Sequence, residues 1–497
     1  MHIGGLDVGT TGCKLTVYDE NGSFITSHYE EYDVSRLKGE HEINSEVIFK
    51  SVCGVIKKSA AECDIDVMGV TTFGETFTVL DKDGNVLLPS MLYTDPRGEK
   101  ECKKLCDILG EERIVSSVGV KPHTMYSLPK IMWIKKNKPD IYGKIKHILL
   151  MEDFIIYKLT GKKKIDYSLA ARTMAFDIRN KCWDKEIFEA AGVDEKLMSE
   201  PVPSGTVAGT VLPEIAAALG LKKDVKVVNG AHDQVASAVG SGALCAGLAV
   251  DGTGTVECIT PVFDKIPTEK QIYDEGYSVV PYVLPETYVC YALSFTGGAV
   301  LKWYVDNFAR CEAEIAKEKG KNVFAYLDSI VPNNPTNILI MPHFAGAANP
   351  YMDSSSKAVV LGLTLEHKAE DFYKALMEGA TYEMLINLEH LKLSGISPEK
   401  LYATGGGASS PVWLQIKADI IGKPVTALSA KEVGACGTCM MAAVAIGIFA
   451  DLKQAEKAFV KYGETYYPDT ERHKIYKSRF EAYKKIYDAV KPVINMI

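Results

Sequence analysis

The chain has 497 residues, 47% of them hydrophobic and 24% charged, a composition that excludes collagen-like, coiled-coil and disordered classes and a length that allows about three domain-sized units. Lys and Arg number 56 against 64 Asp and Glu, a net charge of −8, and no basic block is long enough to follow a phosphate backbone; the expected partner is a small molecule, not nucleic acid. The start, Met1-His2-Ile3-Gly4-Gly5, has no basic and apolar leader, the uncharged run 235–250 is only 16 residues with three glycines against the roughly 18–20 a bilayer span needs, and 12 scattered cysteines fit a reducing compartment. The expectation is a cytoplasmic protein with no membrane partner.

Residues 3–8, 13–19 and 23–29 alternate like strands joined by tight turns, the second at Asn21-Gly22, and form a small antiparallel meander. A helix is predicted over 45–63 and a buried strand over 67–72, followed by a hairpin at Asp81-Lys82-Asp83-Gly84-Asn85. From 98 to 219 the pattern is mostly helical, an insertion built around a sheet. A strand over 226–229 then meets a small-residue helix over 235–239, with Gly230-Ala231-His232-Asp233-Gln234 between them. The chain now restarts: a strand over 247–250, the turn Asp251-Gly252-Thr253-Gly254-Thr255 and a return strand over 256–260 repeat the opening Gly5-Leu6-Asp7-Val8-Gly9-Thr10-Thr11-Gly12. Asp7 and Asp251 lie 244 positions apart, about half the chain, so two similar halves are expected, 1–246 and 247–497. A strand over 401–403, the cluster Thr404-Gly405-Gly406-Gly407-Ala408 and a helix over 412–421 follow, and an amphipathic helical stretch over 474–493 closes the chain.

A Gly/Thr turn between two strands exposes backbone N–H groups and hydroxyls that can surround phosphate oxygens. Each turn singly is an ordinary hairpin; two at matching places in two halves point to one nucleotide held by both. Asp7 is placed to hold a magnesium ion through its water shell. The third Gly cluster, ahead of a helix, allows close approach of a phosphate or sugar, although neither a dinucleotide fingerprint nor a Walker motif occurs in the chain. Asp233 follows a strand end and opens a helix, where the helix dipole favours its charged form; it reads equally as an N-cap and as a base. His232 reads as structural. Glu75, Asp95 and Arg97 sit at strand ends, where charges can contact sugar hydroxyls. Cys436-Gly437-Thr438-Cys439, with no second cysteine pair, reads as small-residue packing.

Taken together these segments resemble the FGGY carbohydrate kinases of the actin/hexokinase-like ATPase superfamily. Residues 7–14 are similar to the family's first phosphate motif and 251–255 to its second. Gly405-Gly406-Gly407-Ala408 with Pro411, Trp413, Gln415 and Asp419 is similar to its adenosine motif, and residues 125–137 and 358–378 to two further signatures. Asp233 matches the position of the catalytic base. The resemblance implies an α/β fold of two RNase H-like (actin-like ATPase) domains flanking a central catalytic cleft. It also implies ATP and Mg2+, with Asp7 ordering the metal and Asp233 deprotonating a sugar hydroxyl. Thr10, Thr11, Lys14, Gly252, Thr253, Gly254, Thr255, Gly405, Gly406, Gly407 and Ala408 are the implied ATP contacts, and Glu75, Asp95 and Asp233 the implied sugar contacts. It allows a homodimer.

Glycerol kinases carry Arg-Glu where this chain has Gly74-Glu75, and the missing Arg counts against glycerol. Xylulokinases carry Met-His there, and Gly-Glu-Arg-Thr-Pro where this chain reads Gly346-Ala347-Ala348-Asn349-Pro350, which counts against a true xylulokinase. Fuculokinases share the look of Thr71-Thr72-Phe73-Gly74 but continue differently. The substrate expected is a ketose or deoxyketose of five or six carbons, phosphorylated on a terminal hydroxyl. Two alternatives are a polyol kinase and a sugar-responsive nucleotide-binding regulator without turnover.

Overall fold

The computed structural model describes residues 1–37, 39–429 and 432–497. They divide into two compact units, one of Met1–Leu244, Ser278–Val289 and Glu432–Val460, the other of Cys245–Tyr277, Cys290–Lys431 and Lys461–Ile497. Glu432–Val460, which a single boundary at 246/247 assigns to the second half, groups with the first.

The sheet of the first unit has six strands, β1 (His2–Val8), β2 (Gly12–Asp19), β3 (Phe24–Glu31), β4 (Val67–Thr72), β5 (Val207–Thr210) and β6 (Lys226–His232), in spatial order β5-β6-β4-β1-β2-β3. The opening meander β1-β2-β3 is antiparallel, β4 and β6 run parallel to β1, and β5 returns antiparallel at the edge. Three helices matter for the site: α1 (Ser45–Glu62), α2 (Tyr167–Ala171) and α3 (Asp233–Gly240). The Asn44 side chain caps α1 by accepting from Glu46 N, and Ile48, Val52, Val55 and Ile56 share one helix face, which is buried in a core with Leu6, Leu15, Met68 and Val70.

Six strands of the second unit repeat this scheme: β7 (Leu248–Thr253), β8 (Glu257–Phe263), β9 (Ala292–Ser294), β10 (Lys400–Thr404), β11 (Val425–Leu428) and β12 (Tyr462–Tyr466). β7, β8 and β9 are an antiparallel set, β10 and β11 run parallel to β7, and β12 is antiparallel at the edge. Three antiparallel strands, two parallel ones and an antiparallel edge occur in each unit, the duplication expected from the repeated Gly/Thr turns. The predicted turn 251–255 is shorter than expected, since ladder bonds carry β7 as far as Thr253. Two long helices cover this sheet, α4 (Ala369–Leu393) and α5 (Pro411–Ile421), and contribute Leu376, Ala380, Trp413 and Ile420 to a second core.

The insertion over 98–219 is helical as expected but also holds short strands, among them His147–Leu150 and Lys164–Asp166. The closing stretch breaks into two helices, Thr470–Tyr483 and Ile486–Ile494. An uncharged run longer than 235–250, from 433 to 450, supplies the buried helix Val433–Ala445, and no helix among the described residues is long and apolar enough to cross a membrane. A Cβ on Gly240 would stand 1.9 Å from the Val433 carbonyl oxygen, and one on Gly437 2.0 Å from that of Ala236. The Cys436-Gly437-Thr438-Cys439 segment is therefore a helix-packing surface, with glycine where two backbones meet.

Candidate functional site

Because β1, β4 and β6 are parallel, their carboxyl ends share one edge of the first unit's sheet, where open α/β sheets place their ligands. The register sets Asp7 beside Thr71, and Val8 and His232 on either side of Thr72. Three segments named from sequence thus leave the same edge: Asp7 with the turn at Thr10 and Thr11, Gly74-Glu75, and His232-Asp233.

Asp233 opens α3. Its Oδ1 accepts from Gln234 N at 2.6 Å and lies 3.3 Å from His232 Nδ1. Dehydration raises its carboxyl to about 6, against the Gln234 amide and the Arg172 charge. The helix N-terminus does favour the anion, as expected, but loss of water outweighs it. The side chain still keeps 38% of its surface open, so a substrate hydroxyl can reach it. Burial and Arg172 push His232 down to about 3, leaving a neutral imidazole beside the carboxylate. Its backbone N–H donates to Ser168 Oγ at 2.8 Å.

Glu75 has φ 61, a left-handed conformation that costs a non-glycine residue about 1–3 kcal/mol and is found most often at binding sites. Ser127 Oγ donates to its carbonyl at 2.6 Å. Its Oε1 accepts from Arg172 Nε at 2.5 Å, with Arg172 Nη2 also paired to it, and both side chains are 5% exposed. The guanidinium lies 5.1 Å from the Tyr126 ring centre. Tyr93 completes this side: burial, Glu75 and Asp233 raise its phenol. The sequence has no arginine next to Glu75, and the one that pairs with it comes from position 172. Sequence reading missed Arg172, and the available signal was a lone charge in Ser168-Leu169-Ala170-Ala171-Arg172-Thr173-Met174, where burial requires a partner.

Asp95 is not brought to this constellation as an open acceptor. Its Oδ1 takes Arg97 N and Nε, and its Oδ2 takes His41 N and Arg97 Nη2, at 2.7–3.0 Å. All four lone-pair sites are used, and Asp95 and Arg97 instead tie their loop to Glu42.

Asp7 is raised to about 7 by burial, then by the charges of Asp233 and Glu432, with Lys14 opposing. Lys14 Nζ donates to Glu432 Oε1 at 2.8 Å. Tyr32 OH donates to the Gly9 carbonyl at 2.5 Å and Tyr32 N to that of Thr11, so the turn is held through its carbonyls.

In the second unit the same logic applies. Asp251 pairs with Ala403 and Gly252 with Thr404, so Gly252–Gly254 and the Gly405–Ala408 cluster leave one sheet edge. They border a cavity of about 780 Å³ lined by Thr253, Gly254, Thr255, Gly406 and Gly407, by the aromatic rings of Trp303, Phe324, Tyr373 and Trp413, and by Asn307, Asn322 and Asp328. Its volume lies within the range of small-molecule sites. Gly405 has φ 84, and a Cβ there would stand 2.5 Å from the Thr253 carbonyl oxygen; only glycine lets the two Gly motifs touch. Ala408 N donates to Gly405 O at 3.2 Å, and Ser410 caps α5 by accepting from Trp413 N. The Thr253 hydroxyl faces inward, to Asp251 and Lys417, so what this residue offers the cavity is backbone.

Comparison with known proteins gives the family. The N-terminal domain of the FGGY family of carbohydrate kinases matches residues 2–240, and the C-terminal domain of that family matches 264–446. A xylulose kinase of Lactococcus lactis is 28% identical over 500 residues, covering 98% of this chain and 96% of its own. A gluconokinase of Bacillus subtilis is 29% identical over 456 residues, covering 89% and 87%. Among solved structures, a xylulose kinase from Lactobacillus acidophilus superposes with TM-score 0.88 at 23% identity, over 99% of this chain and 98% of its own, and a gluconate kinase from the same organism does so equally well over 98% of each. With both of its domains matched in order, the chain belongs to the FGGY family of carbohydrate kinases and is a phosphotransferase.

Proposed function

We propose that the protein transfers the γ-phosphate of ATP to a terminal hydroxyl of a neutral ketose, a pentulose first, with Asp233 as general base. The observation that carries the reading is the partly open Asp233 carboxylate, raised to about 6, beside the Glu75–Arg172 pair. A base of that affinity is charged at neutral pH yet still basic enough to accept a hydroxyl proton. Glu75 Oε2, Tyr93 and the neutral His232 would fix the other hydroxyls, and Glu75 and Arg172 hold each other in place. The cavity of the second unit would take the adenosine, with the Gly252–Gly254 backbone at the phosphates; in the first unit the Thr10-Thr11 turn is the corresponding phosphate-binding candidate.

Magnesium fits this set. Among the described residues no group of three or more His, Cys, Asp and Glu is arranged to ligate a metal directly, but a magnesium ion keeps most of its water and needs only one or two carboxylates with the nucleotide phosphates. Asp7, raised by burial and then by its acidic neighbours, is the carboxylate that would hold it, and a cation there would relieve the repulsion between them. Bound, the ion would neutralise phosphate charge.

Xylulose is the first ketose to test, because relatives named xylulose kinase match nearly the whole chain. The departures at Gly74-Glu75 and 346–350 count against a true xylulokinase, so other ketoses belong in the same panel. Gluconate is the second reading, favoured by the gluconokinase match. A carboxylate-bearing substrate would have to settle near Asp7, Glu75 and Asp233, with Arg172 already bound to Glu75, and charge therefore favours the neutral sugar. The test is ADP release with ATP and magnesium across D-xylulose, L-xylulose, D-ribulose, L-fuculose, D-gluconate and glycerol. Turnover with one ketose well above the ATP-only background is expected; gluconate as the best substrate would overturn the ketose assignment, and silence with every sugar would favour a regulator.

A further inference from the structure

A buried cation lies behind the turn that carries Thr253–Thr255. Lys417, on α5, has a side chain 1% exposed. Its Nζ donates to Asp251 Oδ2 at 2.5 Å, Thr253 Oγ1 at 2.6 Å and Glu257 Oε1 at 2.8 Å, and it stands 5.0 Å from the Trp413 ring centre. The ammonium has three protons and all are used. Asp251 and Glu257 are themselves buried. Burial raises the Glu257 carboxyl against the pull of Lys417.

Such a hub is an expensive way to hold a helix against a sheet, since apolar side chains of similar volume do so at no cost in desolvation. What it adds is a single geometry. Asp251 and Thr253 end β7 and Glu257 begins β8, so the three acceptors flank the turn 254–256 on both sides. Lys417 sits one turn after Trp413 on α5, and Trp413 lines the cavity that Thr253, Gly254 and Thr255 border. The lysine thus fastens the phosphate-facing turn to the helix that carries the aromatic wall. From this geometry we infer that Lys417 is a positioning residue for the nucleotide, setting the turn 253–255 at the height at which its backbone meets the phosphates. The inference rests on the cavity being the nucleotide site.

The test is ADP affinity of the full-length protein by calorimetry in magnesium buffer. Lys417→Met strands two buried acids and can fail to fold. The double variant Lys417→Met/Asp251→Asn removes one charge of each sign and keeps the volume, so it carries the test. ADP affinity about tenfold weaker or more is expected in the folded double variant, with the KM for ATP raised in parallel and the KM for the sugar within about twofold of the parent, the pattern of a lost nucleotide contact rather than of a smaller folded fraction. Lys417→Arg, which keeps the charge but replaces a tripod by a planar fork, should lie between the two. Ala325→Trp, which puts an indole into the cavity, tests the underlying reading. ADP binding retained in Ala325→Trp would overturn the nucleotide assignment of the cavity, and the role of Lys417 with it. Binding lost there but within about twofold of the parent in the double variant would overturn the role of Lys417 alone.

Discussion

As the proposed general base, Asp233 works only while charged, and dehydration places its carboxyl at about 6. The kcat/KM for the sugar should therefore be flat at neutral pH and fall as pH drops through about 6, approaching tenfold per unit below it. A limb near pH 4 would mean that the carboxylate is as well solvated as a free one. The same shift carries a cost in stability. A carboxyl whose pKa is raised by folding costs nothing below its unfolded value, costs more as pH climbs from about 4 to about 6, and costs a constant amount above that. Asp233→Asn should then melt higher than the parent at about pH 7 and no higher at about pH 3.5, a contrast that scanning calorimetry reads directly. The Glu75–Arg172 pair behaves oppositely, because neither charge is exposed. Arg172→Met leaves Glu75 uncompensated and is expected to cost about 3–5 kcal/mol in urea unfolding, with a raised KM for the sugar. A loss below about 1 kcal/mol would show that water reaches Glu75 after all.

At the scale of elements, the carboxyl edge of three parallel strands gathers Asp7, Glu75 and Asp233, and the repeated Gly/Thr turns mark the equivalent edges of both sheets. Those turns were legible in the sequence because they need glycine and hydroxyl residues at fixed places. Strand 67–72 and the start of α1 were legible for a similar local reason, a buried apolar run and a capped amphipathic face. Arg172, the saturation of Asp95 and the Lys417 hub were not, since each depends on which distant segment folds against it: position 41 for Asp95, 75 for Arg172, 251 and 257 for Lys417. The packing of α3 against the helix Val433–Ala445 is of both kinds. The small residues were visible, but not the partner that requires them. Gly437→Val forces the two backbones apart and should destabilise by about 2 kcal/mol or more; a variant as stable as the parent in urea would show that these helices do not meet at Gly437.

For the molecule as a whole, the two units carry different parts of the proposed chemistry on the same strand scheme, an acidic constellation in one and an aromatic cavity in the other. Ligands should then protect different segments from hydrogen exchange. ADP alone is expected to slow exchange in 251–257 and 405–421, and the sugar alone in 72–76, 166–173 and 230–240. Sugar protection confined to the second unit would contradict the assignment of Glu75 and Asp233. The most direct measurement is the steady-state kinetics of Asp233→Asn with D-xylulose, ATP and magnesium, beside its affinity for ADP. A general base removed without loss of fold should lower kcat by about 10²–10⁴-fold and leave ADP binding unchanged. A variant that phosphorylates the sugar within about tenfold of the parent's rate would show that Asp233 is not the base.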